Sequence, residues 1–422
     1  MNIMMLTNTF TPHVGGVARS VERFTAEYRR LGHRVLIVAP VFEGMPEEEK
    51  DVVRIPAIQR FNGSDFSVVL PVPNFLGTAV EEFQPNVIHS HHPFLLGSTA
   101  LRLATTYNLP LVFTHHTMYE QYTHYVPGDS ETMKKFAINL ATMYANLCNR
   151  VIAPSESIRQ ILLERGVTTP VDVVPTGLRL EDFRQSSGPG MRMALNIPLD
   201  AFLIGHLGRL APEKNLDFLA RAVVRCLKDS PQAHFLLVGS GPSLQGIKRI
   251  FEKEEMLDRL HHVGLLELPL LAGAYQAMDV FAFASKSETQ GMVVTEAMAA
   301  GVPVVALDAP GVREVVEDRV NGRLLFNENL DDFAAALADI ARSSPEELRV
   351  LQEGAERTAQ KFSLTNCAQK ALRIYKELEK QDFVEQEREY QQLGKLLRSI
   401  KAEWDVMKTI ARAASSVLIS VD

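Results

Sequence analysis

Short apolar runs alternate along this chain with longer segments whose apolar residues recur every three to four positions. Residues 2–6 read as a buried strand, and Val17, Val21, Phe24, Tyr28 and Leu31 then share one face of a helix. Residues 34–39 read as the next strand, closed by Pro40, followed by strands at 86–89, 111–114, 150–153 and 172–174. After a polar, glycine-bearing stretch at 185–190 that suits a linker, strands restart at 202–206, 234–238, 260–263, 280–284, 302–306 and 322–326. Strands alternating with helices imply parallel sheets covered on both faces. The pattern predicts an α/β chain of two Rossmann-like domains facing a central cleft, over 1–185 and 191–365, with a helical segment at 366–422. Ligands of such sheets bind at the carboxyl ends of the strands.

The helical tail carries one apolar stripe, Leu393, Leu396, Leu397, Ile400, Trp404, Met407 and Ala411, flanked by Lys395, Arg398, Lys401, Lys408 and Arg412. Such a stripe fits a helix packed on the N-terminal domain or on a second subunit, or a basic amphipathic helix on an anionic membrane surface.

The bulk numbers narrow the field. At 422 residues, 46% hydrophobic and 23% charged, the chain holds enough apolar material for two cores. A net charge of -7 argues against a nucleic-acid partner. Cys148, Cys226 and Cys367 are scattered, without metal-ligand spacing, which suits a reducing, cytoplasmic compartment. The first residues read as a strand rather than a signal peptide, and no apolar run approaches the roughly 20 residues of a membrane span. The expected place is the cytoplasm or the inner face of the cell membrane.

Candidate chemistry falls at the strand ends. Gly15 and Gly16 follow the first strand and open the first helix, where side-chain-free residues let a phosphate or sugar approach backbone amides. Arg209 and Lys214 supply two cations directly after a strand, suited to a diphosphate. Gly239-Ser240-Gly241-Pro242 lacks the third glycine of a dinucleotide fingerprint and reads as a tight turn, so an NAD site is rejected. In the stretch Ser285 to Pro303, Glu288 lies in a loop, Gly291 precedes a helix beginning near Met292, and Glu296 sits one turn inside it. The loop carboxylate suits sugar hydroxyls, the N-terminal amides of the helix suit phosphate, and Glu296 suits a ribose diol.

The spacing from Glu288 to Glu296 resembles the E-x7-E signature of the family four retaining glycosyltransferases, which have the GT-B fold. The Gly15-Gly16-Val17 loop, the turn from Gly208 through Lys214-Asn215, the Val238-to-Pro242 turn and His89-Ser-His91-His-Pro93 match as well, so the likeness spans nearly the whole chain. It implies that Gly16 approaches the donor phosphate, Arg209 and Lys214 hold the diphosphate, Glu288 touches the donor sugar, the Met292 and Val293 amides the phosphates, and Glu296 the ribose. It also implies that Val263 and Gly264 meet the base through their backbone, and that His91 lies beside the reacting centre. Two positions depart from the pattern: Ser240 replaces the usual acidic residue of its turn and Ala284 the usual proline.

His89, His91, His92, His115 and His116 gather at two strand ends, yet no aspartate of the metallohydrolase kind accompanies them, and no metal is expected. His92 and His116 are read as acceptor-side or structural, and Tyr119, Tyr122 and Tyr125 as acceptor contacts or loop packing. No D-x-D occurs in the chain, so the leaving phosphate is expected to be met by Arg209, Lys214 and helix amides, with no cofactor required. The segments 91–97 and 114–125, and the Ser285-to-Gly291 form of the donor loop, resemble the glucosyltransferases that make monoglucosyldiacylglycerol. The expected partners are a nucleotide-sugar donor, read as UDP-glucose, and a lipid acceptor such as diacylglycerol; an oligomer is left open. The alternatives are a mannosyltransferase using GDP-mannose on a phospholipid or polysaccharide and, more remotely, a nucleotide-sugar epimerase.

Overall fold

The computed structural model describes residues 1–13, 15–58, 68–69, 76–121, 130–184, 186–286 and 288–380. Tyr122, Tyr125 and the basic stripe of the tail lie outside them.

Two compact units divide the chain at Thr176 and Gly177, and the helical residues from Cys367 belong with the first. The first unit is built on a seven-stranded sheet. Its spatial order is Val52–Ile55, Arg34–Pro40, Asn2–Leu6, Val87–Ser90, Leu111–Thr114, Arg150–Ala153 and Val171–Val173. Neighbouring strands are parallel and in simple register, Ile3 opposite both Val35 and Val87. The strand order reverses between Asn2–Leu6 and Val87–Ser90, and such a switch point opens a crevice at the strands' carboxyl ends.

The second sheet repeats the plan with six strands: Leu260–Val263, Ala233–Val238, Phe202–Leu207, Val280–Phe283, Val304–Leu307 and Gly322–Leu325. Here the reversal lies between Phe202–Leu207 and Val280–Phe283, joined as Ile204 to Val280 and Gly205 to Phe281.

Both sheets are buried on both faces, as parallel sheets must be. In the first unit one core gathers Met4, Leu6, Ile88 and Phe113 against Tyr144, and the other gathers Ile3, Met5, Val87 and Val112 against Val21, Phe24 and Tyr28. The second face is completed by the helix Leu364–Glu379, whose Cys367, Ala368, Ala371, Leu372, Tyr375 and Leu378 enter the same core. The apolar stripe of the first helix, Gly16–Arg30, is thus matched by a stripe from the far end of the sequence.

The short antiparallel pair of Ala57–Ile58 and Val68–Val69 and two longer elements differ from the sequence reading. Val52–Ile55 is an edge strand hidden by its polar neighbours and by Arg54, which turns back to Glu49 at 2.6 Å. The 185–190 stretch read as a linker is, from Gly188, the start of the helix Gly188–Ala194 within the second unit. Ser187 caps it by accepting from the Gly190 amide, and Pro189 occupies its first turn, where a missing N–H costs nothing. A Cβ at Gly188 would lie 2.1 Å from the Gln276 carbonyl oxygen, so this glycine serves close helix packing, not a flexible joint.

Candidate functional site

In the second unit three turns at the strand ends brace one another. The Gly208 amide donates to Val238 O at 3.1 Å, the Leu210 amide to Ser240 O at 2.8 Å, and the Gly239 amide to Val263 O at 2.9 Å. The Gly208 turn, the 239–242 turn and the Val263-Gly264 backbone are therefore one connected rim, with the Val263 carbonyl already engaged.

On this rim the structure brings together residues far apart in sequence. Lys214 Nζ donates to Glu288 Oε1 at 2.6 Å, with both side chains largely buried. Arg209 pairs with Glu213 while keeping half its side chain exposed. Glu328, which the sequence does not single out, accepts from Asn215 at 2.7 Å and pairs with Lys286, tying both loops to the end of the last strand. His206 lies beneath them, 1% exposed, its Nδ1 against Ala282 O at 2.9 Å and its Nε2 without a partner. Burial pushes its pKa down to about 4, with Lys214 lowering and Glu288 raising it.

The helix Met292–Ala299 starts at Gly291, whose φ of 70° is a left-handed conformation that glycine adopts freely. No side chain caps this helix and no acidic residue occupies its first turn. Its amide end thus suits an anion. Glu296 points inward, 1% exposed, and accepts from the Tyr275 hydroxyl at 3.1 Å. Tyr275 carries no motif that a sequence reading could have used.

In the first unit Gly15 is the extended N-cap of Gly16–Arg30, again with no side-chain cap and no acid in the first turn. The histidines converge from two adjacent strand ends. The rings of His89 and His91 pack tilted at 34° with centroids 4.1 Å apart, and His91 Nδ1 lies 2.9 Å from His116 Nε2. His92 faces elsewhere: its Nδ1 accepts from the Asn8 amide at 3.1 Å, while the Asn8 side chain accepts from the Leu96 amide. It braces the first strand's loop. Tyr119 packs edge-on against His115 and Phe94. Ser20, Tyr28, His89, His91, Thr114 and His116 share the lining of one small cavity.

Burial holds all five imidazoles neutral. It pushes His89, His92, His115 and His116 down to about 3, and lowers His91 well below its ordinary 6.5, with its neighbours adding to the effect. A neutral imidazole carries one N–H. The His91–His116 bond therefore decides whether His91 Nε2, buried and without a partner, presents a proton or a lone pair. Among the described residues no group of three or more His, Cys, Asp or Glu is arranged to hold a metal ion.

This geometry, a braced polar rim at each switch point, can be set beside known proteins. The Glycosyltransferase Family 4 model matches residues 14–182, and the Glycosyl transferases group 1 model matches 190–358. The chain is 31% identical over 360 residues to the GDP-mannose-dependent alpha-mannosyltransferase of Mycolicibacterium smegmatis, covering 80% of this chain and 87% of that relative. The chain belongs to the family 4 glycosyltransferases. This glycosyltransferase is also 28% identical over 359 residues to the alpha-monoglucosyldiacylglycerol synthase of Streptococcus pneumoniae, covering 82% of the chain and 79% of the relative. Among solved structures it resembles Anabaena HepE in complex with UDP, with a TM-score of 0.71 at 20% identity over 89% of this chain and 100% of that one. At that identity the likeness speaks for the fold, which is GT-B. No helix among the described residues is long and apolar enough to cross a membrane.

Proposed function

We propose that this enzyme is a retaining hexosyltransferase that moves glucose from UDP-glucose to a lipid hydroxyl such as that of diacylglycerol. The observation that carries the donor half is the Lys214–Glu288 pair beside Arg209 and the uncapped helix at Gly291. Cations, amides and a loop carboxylate meet there at a switch point, the arrangement a nucleoside diphosphate sugar needs. UDP in the structurally similar HepE is consistent with this donor class.

In this reading Arg209 and Lys214 take up charge on the departing diphosphate, helped by the Met292 and Val293 amides. Glu288 orients the sugar hydroxyls, Glu296 the ribose diol, and the Val263-Gly264 backbone the base. The Gly15-Gly16 amides meet donor phosphate. The bond from the anomeric carbon to the phosphate oxygen breaks as the acceptor oxygen bonds on the same face, and the acceptor proton passes to that phosphate oxygen. His91 acts at the reacting centre as a neutral hydrogen-bonding group. Arg209 and Lys214 supply this charge compensation without a cofactor. His116 and Tyr119 are assigned to the acceptor side, whereas the Asn8 contact makes His92 a brace. The lipid acceptor is supported by the likeness to the pneumococcal alpha-monoglucosyldiacylglycerol synthase, and in this reading the enzyme works at a membrane surface.

A second reading, mannosyl transfer from GDP-mannose, is favoured by the higher identity to the mycobacterial mannosyltransferase. A panel of UDP- and GDP-sugars, each with and without dioleoylglycerol and scored by nucleotide release, separates the two. Acceptor-dependent release of UDP from UDP-glucose supports the first reading. Release of GDP alone supports the second, and an epimer formed without acceptor would reject both.

A further inference from the structure

We propose that Tyr375, on the C-terminal helix, is a positioning residue that locks the ring of His89 and, through it, the ring of His91. The inference rests on the reading that His91 acts at the reacting centre.

Tyr375 is fully buried, and its hydroxyl lies 2.7 Å from His89 Nδ1 and 3.3 Å from the Tyr28 hydroxyl. The other nitrogen of His89 is also taken, 2.7 Å from Thr114 Oγ1. Four residues from four elements, Tyr28, Tyr375, His89 and Thr114, thus form one continuous hydrogen-bonded line through the core. Both edges of the His89 ring are held, so the ring can neither flip nor tilt without stranding a buried polar atom. His91 packs against that ring, tilted by 34° with centroids 4.1 Å apart, and its own Nδ1 is held by His116. The ring that the reaction uses is therefore fixed on its face by His89 and on its edge by His116.

Packing alone does not ask for this line. The Tyr375 helix already docks through Cys367, Ala368, Ala371, Leu372 and Leu378. A phenylalanine at 375 would fill the same space without a hydroxyl to satisfy. The hydroxyl's specific consequence is the orientation of His89, two residues along the same strand end from His91. The direction of the line also matters. With Tyr375 donating to Nδ1, His89 donates from Nε2 to Thr114; with Thr114 donating to Nε2, His89 donates from Nδ1 to Tyr375, which can donate onward to Tyr28. Removing the Tyr375 oxygen removes the constraint on both.

The test compares Tyr375→Phe, Thr114→Val and His91→Ala in the full chain. Steady-state kinetics with UDP-glucose and dioleoylglycerol are paired with imidazole 15N spectra of histidine-labelled protein, the His91 signals being assigned by their loss in His91→Ala. The expected result is a fall in kcat of about tenfold in Tyr375→Phe and in Thr114→Val, with donor KM within about twofold, because a misplaced group costs rate more than binding. The His89 and His91 nitrogen shifts should move in both variants, which a purely structural helix contact would not produce. Wild-type kcat in both, with His91→Ala inactive, overturns the inference and leaves the His91 reading standing. A lowered kcat with unmoved His91 shifts also overturns it, assigning the loss to folding. Wild-type kcat in His91→Ala removes the reading itself and the inference with it.

Discussion

Lys214 and Glu288 lie 74 positions apart in sequence and form a 2.6 Å ion pair at the point where the second sheet reverses its strand order. Each comes from the loop after a central strand. The pair preorganises a cation and a carboxylate before any ligand arrives, which is how a site stabilises charge without reorganising at the moment of reaction.

Lys214→Ala should therefore lower kcat by about 10²- to 10³-fold, the usual loss for one preorganised charge-stabilising donor. The exposed position of Arg209 makes Arg209→Ala a smaller loss in stability than in rate. Nucleotide release and a thermal melt, run side by side, check both. Wild-type turnover in either variant would remove that residue from the reaction.

Tyr275→Phe should raise the donor KM by about tenfold or more while leaving kcat near wild type. The variant deletes only the hydroxyl that donates to Glu296, loosening the carboxylate assigned to the ribose. A hydrogen bond to a charged group is worth about 1.5–3 kcal/mol. Donor titration of the variant reads the effect directly.

The histidines make a pH prediction. Their folded pKa values are depressed, so the unfolded chain binds more protons once the pH falls below 6.5. Stability is complete above 6.5 and is lost as the pH falls from there toward 3, by on the order of 1 kcal/mol per buried histidine at pH 5.5. Urea unfolding of the first unit between pH 7.5 and 5 should show falling midpoints. The kcat profile, by contrast, should show no inflection near 6.5 from His91, which stays neutral throughout. An inflection that disappears in His91→Ala would contradict this.

Gly188→Ala should destabilise the second unit by about 1–3 kcal/mol, the cost of forcing a methyl into a packed contact. The added carbon meets backbone rather than a flexible side chain. A drop in melting temperature with unchanged donor KM is the expected pair of results.

Much of this was legible in the sequence. Strands at 2–6, 111–114, 150–153 and 260–263 announce themselves because buried parallel strands are continuous apolar runs bounded by turns. The glycine, cation and carboxylate positions stand out because their chemistry is unusual at strand ends. Val52–Ile55 escaped because an edge strand with Arg54 inside a charged neighbourhood carries no such run. Gly188-Pro189-Gly190 read as a linker because its composition is that of a turn, and only the approach of Gln276 reveals a helix packed too tightly for a side chain. Tyr275, Asn8, Glu328 and Tyr375 were invisible for a common reason. Each acts through a hydrogen bond to a residue distant in sequence, and nothing local marks a buried tyrosine as a donor rather than a filler. His92 shows the converse: it sits inside the most suggestive motif of the first unit, yet its nitrogen braces Asn8.

Lipid incorporation of label from UDP-[14C]glucose in dioleoylglycerol mixed micelles tests the central claim most directly. The account predicts organic-soluble radioactivity that depends on both enzyme and dioleoylglycerol and is lost in Lys214→Ala. Label that appears only in a water-soluble product, or lipid labelling that persists undiminished in that variant, would contradict it.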